Sequence, residues 1–142
     1  MILVDTNLWL YAALQDIPQH SAAKAWLEAT FNHQESIALP WSVALAVLRI
    51  STQRRLMQQP LSPTQAIELV EGWLEHPLVT LVQPGPSHWS ILRLLIQGTG
   101  TAGNLTMDAH LAALAIEHNA TLCSADSDFR RFPGLRVINP LA

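Results

Sequence analysis

The 142 residues include one cysteine and one lysine, and charged side chains make up only 13% of the chain. A single thiol, Cys123, has no partner for an internal disulfide, which excludes a small stapled scaffold and suits a reducing cytoplasm. No stretch reaches the roughly 18 uninterrupted apolar residues that a spanning helix needs, so no membrane segment is expected. Met1-Ile2-Leu3-Val4-Asp5 offers neither a basic segment nor a small-residue cleavage site, and no signal peptide is expected either. A net charge of −3 excludes a polybasic nucleic-acid coat, although seven of the eight basic residues are arginine, which leaves room for a local site. Internal repeats, low-complexity tracts and Gly/Ser linkers are missing too. The expectation is one domain over residues 1–142, with a core fed by 49% hydrophobic residues.

What is present alternates. Ile2-Leu3-Val4 reads as a strand buried on both faces, followed by a short helix from Asn7 to Leu14 and an amphipathic one from Ser21 to Phe31. Ile37-Ala38-Leu39 is a second strand, and Pro40 suits the first turn of a helix running to about Arg54. Ser62, Pro63 and Gln65 form a helix start with N-cap, N1 and N3 residues in place, and that helix ends near His76-Pro77. Thr80 to Val82 is a third strand, Ser87 to Gln97 a helix, and Gly98 to Asn104 a connector. Thr106 caps a helix running to His118. Thr121 to Cys123 and Arg136 to Ile138 complete five strands. Such alternation predicts an α/β sandwich with a mainly parallel sheet and right-handed crossovers.

Ligand sites in such sheets lie beyond the carboxyl ends of the strands. That rule sorts the acids. Asp5 follows the first strand, Asp126 and Asp128 follow the fourth, and Asp108 lies in the first turn of the helix leading into it. The six glutamates fall on helices or their ends, where a solvated face explains them. Singly, each aspartate has an ordinary structural reading: Asp5-Thr6-Asn7 caps a helix, Asp108 complements the helix dipole, and Asp126 and Asp128 are turn residues. Together they would repel one another and raise each other's pKa unless a cation compensates. An oxygen-only set suits Mg²⁺ or Mn²⁺. The expectation is that Asp5, Asp108 and Asp126 converge within about 4–8 Å, as ligands of a shared ion would.

Three segments carry a resemblance. Ile2-Leu3-Val4-Asp5-Thr6-Asn7, Thr106-Met107-Asp108-Ala109-His110, and Ser124-Ala125-Asp126-Ser127-Asp128-Phe129 resemble the PIN domain, and more narrowly the VapC toxins of bacterial toxin–antitoxin modules. The ending Phe132-Pro133-Gly134-Leu135 and Asn139-Pro140-Leu141 extends the likeness over essentially the whole chain. The resemblance implies a PIN-like α/β/α sandwich and a Mg²⁺-dependent ribonuclease (Mn²⁺ as the other candidate ion), held inactive by a cognate antitoxin. It implies metal ligation by Asp5, Asp108 and Asp126, a catalytic accessory role for Asp128, and hydroxyls from Thr6 and Ser124 beside the site. A partner peptide bearing Arg or Lys is expected to dock in the acidic pocket.

One position departs from the family pattern of Glu, two apolar residues, then Arg. Ala46 fills the Glu position ahead of Arg49, and no acid occurs between Ser36 and Ile67 to replace it. The resemblance then implies weaker binding of one metal and damaged or lost activity. The alternative reading is a non-catalytic PIN fold that binds RNA or an antitoxin. Among other features, Arg130-Arg131 beside Asp128 is the first basic pair to test as a phosphate guide, and Asn7 adjoins the first acid. Trp9, Trp26, Trp41, Trp73 and Trp89 are read as core or dimer packing, and homodimers are expected from this apolar, weakly charged surface. Gly98 to Asn104 lacks a P-loop's Gly-Lys-Ser/Thr ending. Asp5-Thr6-Asn7 lacks the second Asp of a haloacid-dehalogenase-type phosphatase.

Overall fold

A computed structural model describes residues 1–142. Five short strands form one all-parallel sheet: β1 (Ile2–Val4), β2 (Ile37–Pro40), β3 (Val79–Val82), β4 (Thr121–Cys123) and β5 (Val137–Ile138), in the order β3-β2-β1-β4-β5. The three central strands are apolar except for Thr121 at the start of β4, because both faces are covered. Leu3, Val4, Ile37, Ala38, Leu39, Leu122 and Cys123 are all buried. Register sets Leu3 beside Ala38 and Leu122, and Val4 beside Cys123.

Six helices cover the sheet: α1 (Thr6–Ala13), α2 (His20–Asn32), α3 (Trp41–Ser51), α4 (Pro63–Leu74), α5 (His88–Thr99) and α6 (Thr106–Glu117). The chain steps outward from β1 through β2 to β3, then reverses across β1 to reach β4. Right-handed crossovers therefore set α1 to α4 against one face and α5 with α6 against the other. The reversal makes a switch point between β1 and β4, where a crevice opens at the carboxyl edge.

α6 is the most enclosed helix. Ala109, Ala112, Ala113 and Ala115 let it approach the sheet closely, with Leu111 and Leu114 filling the remaining volume. Its far end is fastened as well: Glu117 accepts the backbone N–H groups of Gly85 (2.7 Å) and Ser87 (2.9 Å), tying the last turn of α6 to the start of α5. A side chain at Gly85 would meet that carboxylate, with a Cβ only 2.6 Å from Glu117 Oε2.

Several boundaries differ from the sequence expectation. Thr106 does not cap α6. A 3₁₀ turn over Gly103–Leu105 runs straight into the helix, so Thr106 already has helical dihedrals and its hydroxyl caps nothing. Pro40 ends β2 opposite Val82 and precedes α3 rather than opening it. α3 stops at Ser51, short of Arg54, where the Thr52 hydroxyl donates back to the Leu48 carbonyl (2.7 Å). α5 runs through Gly98 to Thr99 and ends on Gly100 at φ 71°, a left-handed cap that needs glycine. The capping box at Ser62 and Gln65 is present as read. Of the tryptophans, Trp9 is wholly buried against Trp73, ring centroids 4.4 Å apart, whereas Trp41 and Trp89 stand outside the core.

Candidate active site

β1 delivers Asp5 and β4 delivers Ser124 to the same edge, because Val4 pairs with Cys123 and the Asp5 N–H donates to the Cys123 carbonyl (2.9 Å). Asp5 is also the N-cap of α1. One of its oxygens accepts the Thr6 N–H (2.7 Å) and the other accepts the Ser124 hydroxyl (2.7 Å). Ser124, almost wholly buried, in turn accepts the Asp126 N–H (3.0 Å), and Asp126 accepts the Asp128 N–H (2.9 Å). A single hydroxyl thus couples two strand ends. These bonds fold Ser127–Arg131 into a 3₁₀ turn and hold the acids close.

α6 brings the remaining carboxylate from the other direction. Donor oxygens of Asp108, Asp126 and Asp128 all lie within 4.8 Å of one another. Asp5, expected in that close set with Asp108 and Asp126, is not part of it, because its two oxygens are turned to the Thr6 amide and the Ser124 hydroxyl; its charge is still felt by Asp108, and it feels that of Asp126. Burial raises the Asp5 pKa against the opposing pull of its two hydrogen bonds. The Asp108 carboxyl is pushed up to about 6, first by burial and then by the charges of Asp126, Asp5 and Asp128. A carboxylate cluster that strains against its own ionisation fits a hard divalent cation, whose charge relieves the repulsion and whose preference is for oxygen.

That repulsion has a measurable consequence. Asp108 binds its proton more tightly folded than unfolded, so its contribution to stability is complete below its ordinary pKa of 3.8 and is lost as the pH rises through about 6. Fully buried, such a change would be worth roughly 3 kcal/mol. Asp108 is only half-buried, and screening by solvent leaves about 1 kcal/mol. Compared with Asp108→Asn, the metal-free protein should lose about that much between about pH 4 and pH 7 in urea titrations, and Mg²⁺ should return it. Parallel pH profiles for the two proteins would contradict this electrostatic account.

Two clefts flank the cluster. One, of about 480 Å³, lies between α3 and α6; Asp5, Thr6, Ser42 and Asp108 share it with Ala46 and Arg49. The other, about 300 Å³, is lined by Ser124, Asp126, Ser127, Arg130, Val137 and Asn139. Arg130 therefore stands near the acids, while Arg131 and Asn7 line neither cleft, the Asn7 Oδ1 being buried without a partner. Ser42 and Met107 escaped the sequence reading. The strand-end rule that picked out Asp5, applied to β2, points to Ser42 in the first turn of α3. His110 packs edge-on against His88, as a packing residue would.

The PIN domain profile matches residues 2–135. Ribonuclease VapC33 of Mycobacterium tuberculosis is 42% identical over 141 residues, 99% of each chain, and Ribonuclease VapC37 of the same organism is 39% identical over 142 residues, 100% of this chain and 99% of its own. Among solved structures, VapBC2 from Rickettsia felis bound to a promoter DNA fragment aligns with a TM-score of 0.72 at 21% identity, covering 98% of both chains. Mycobacterium tuberculosis VapC20, described as a sarcin–ricin loop cleaving toxin, aligns with a TM-score of 0.69 at 16% identity, covering 96% of this chain and 99% of that one. The chain belongs to the PIN domain family and, within it, to the VapC group.

Proposed function

We propose that this protein is the toxin of a type II toxin–antitoxin module, a Mg²⁺-dependent ribonuclease that hydrolyses RNA phosphodiester bonds. The observation carrying this reading is the close grouping of Asp108, Asp126 and Asp128 from α6 and the end of β4, with Asp5 of β1 lining the same cleft as Asp108. Asp5, Asp108 and Asp126 would hold the ion, with Asp128 beside them; when bound it supplies charge neutralisation at the phosphate and activation of water. The chain's own residues do the positioning. Ser124 fixes the Asp5 carboxylate against β4, and the Thr6 amide fixes its second oxygen. Asp126, anchored through its own amide to Ser124, keeps Asp128 turned into the cluster.

The same negative crevice supports a regulatory partner. A cognate antitoxin would inhibit by laying an Arg or Lys into the carboxylates, in competition with the ion. No helix is long and apolar enough to cross a membrane, and a lone buried thiol suits action in the cytoplasm. Trp89 (71% exposed) and Leu94 (62%) on α5 favour self-association, against which sedimentation of monomer alone at micromolar concentration would count.

The direct test incubates the purified protein with a panel of RNAs in Mg²⁺, Mn²⁺ and EDTA, with and without the antitoxin. Cleavage that needs the divalent ion and stops on antitoxin addition is expected. Cleavage unaffected by EDTA would overturn the mechanism. Antitoxin binding without cleavage in any ion would leave a PIN fold that binds and does not cut.

A further inference from the structure

The two clefts beside the acidic cluster are chemically unlike each other. In the α3–α6 cleft half of the lining residues are apolar: Val43, Leu45, Ala46, Met107 and Leu111. Leu45 and Met107 are each 58% exposed there, and Trp41, one turn before Leu45 on α3, is 52% exposed. Of the six residues of the β4–β5 cleft only Val137 is apolar. Each cleft holds one arginine, Arg49 in the first and Arg130 in the second. Neither guanidinium has a partner within the chain: the one ion pair joins the Met1 amine to Glu35, and Arg136 alone among the arginines is hydrogen-bonded, to Asn119.

We infer that single-stranded RNA crosses the acidic cluster from one cleft to the other, and that its sequence is read on one side of the cut only. This rests on the ribonuclease reading and deepens it. A base has two apolar faces and gains by leaving water against apolar walls. The α3–α6 cleft offers such walls and a volume within the range of small-molecule sites, about 300–1,000 Å³. A sugar–phosphate backbone gains from hydroxyls, amides and a cation, which is what Ser127, Asn139 and Arg130 offer. Arg49 and Arg130 then hold the phosphates flanking the scissile one, offsetting the repulsion of the carboxylates between them. A duplex cannot thread this path, because its bases are paired and stacked away from the protein. Specificity resides with Leu45 and Met107; the opposite cleft accepts any nucleotide.

Two readouts test this. The first is anisotropy of short labelled RNA homopolymers bound to Asp108→Asn, which removes one repelling charge and stops cleavage. Adding Arg49→Ala or Arg130→Ala should weaken binding about tenfold and flatten the salt dependence by about 0.7 in log–log slope each, with Lys restoring most of both. Leu45→Gln with Met107→Gln should erase differences among homopolymers, whereas Asn139→Ala should not. The second is sequencing of products from a randomised single-stranded pool cut by the parent chain, where base preference should appear on one side of the cut and vanish with the Leu45 and Met107 replacements. Equal preference on both sides, or arginine variants that bind with unchanged salt slope, overturns the inference while the ribonuclease reading stands. Replacements at Leu45 and Met107 that abolish antitoxin binding yet leave RNA preference intact assign the cleft to the antitoxin and overturn it too. Failure of both the parent chain and Ala46→Glu to cut any RNA sinks the ribonuclease reading; the binding arm still decides the path.

Discussion

Ala46→Glu should raise Mg²⁺-supported RNA cleavage by about 10²–10³-fold, the scale of one preorganised electrostatic group, or roughly 2.7–4 kcal/mol. Ala46 sits on α3, half-buried, in the wall of the cleft that also contains Asp5 and Asp108. All four acids reach the crevice from β1, α6 and β4, so the α3 side contributes no carboxylate. A glutamate there would face the cluster across the cleft and lie one turn before Arg49, which suits an i, i+3 pair on the helix. Mg²⁺ is commonly held by one or two carboxylates and several waters, so the existing aspartates suffice for one ion. The gain should therefore appear in the maximal rate more than in the Mg²⁺ concentration needed to reach half of it. Single-turnover cleavage by both versions across Mg²⁺ and Mn²⁺ titrations, with Asp5→Ala as the blank, measures this. Equal rates would show that position 46 is not where the family's glutamate acts.

The second large effect has the opposite sign. Asp108→Asn should lower cleavage by about 10³-fold or more, by analogy with loss of a preorganised charge-stabilising group. The fold should meanwhile gain stability at neutral pH. Asp108 has no hydrogen-bond partner in the chain and is crowded by three like charges, so neutralising it relieves repulsion without breaking a contact. Asp5→Asn differs in this respect. Asp5 caps α1 and accepts the Ser124 hydroxyl, so its amide loses activity and also disturbs the junction of β1 with β4. Urea unfolding alongside kinetics separates the two residues. An Asp108→Asn protein that lost stability together with activity would place Asp108 in the architecture rather than in the chemistry.

Much of this arrangement was legible from residue order. Short apolar strands alternating with helices specify a parallel sheet, and the strand-end rule then singles out Asp5, Asp126 and Asp128 without knowledge of any contact. Asp108 needed only its place in a first helical turn. Less legible were features that depend on two segments meeting. The sequence places Ser124 beside the site; that its hydroxyl bridges the ends of β1 and β4 follows from register. The five tryptophans look alike in the sequence, yet burial divides them, since helix faces point inward or outward according to how α3 and α5 are set against the sheet. Thr106 reads as a cap by type, but the 3₁₀ turn ahead of it supplies helical geometry one residue too early for a cap. The pairing of one apolar cleft with one polar cleft has no local signature, because each draws its walls from segments far apart in the chain.

The fastening of α6 at its last turn has a consequence for which length changes the chain can tolerate. Asp108 lies near the start of the helix and Glu117 at its end, nine residues later, gripping the amides of Gly85 and Ser87. Inserting or deleting one residue between them would turn one end against the other by about 100° and move it by about 1.5 Å. Either the carboxylate would leave the cluster or Glu117 would release the α5 entrance. α6 therefore works as a ruler of fixed length. The segment from Gln53 to Leu61, which joins α3 to α4 on the surface and carries none of the acids, is free to lengthen. Natural and designed variation in this chain should concentrate its insertions there and leave the count between Asp108 and Glu117 untouched.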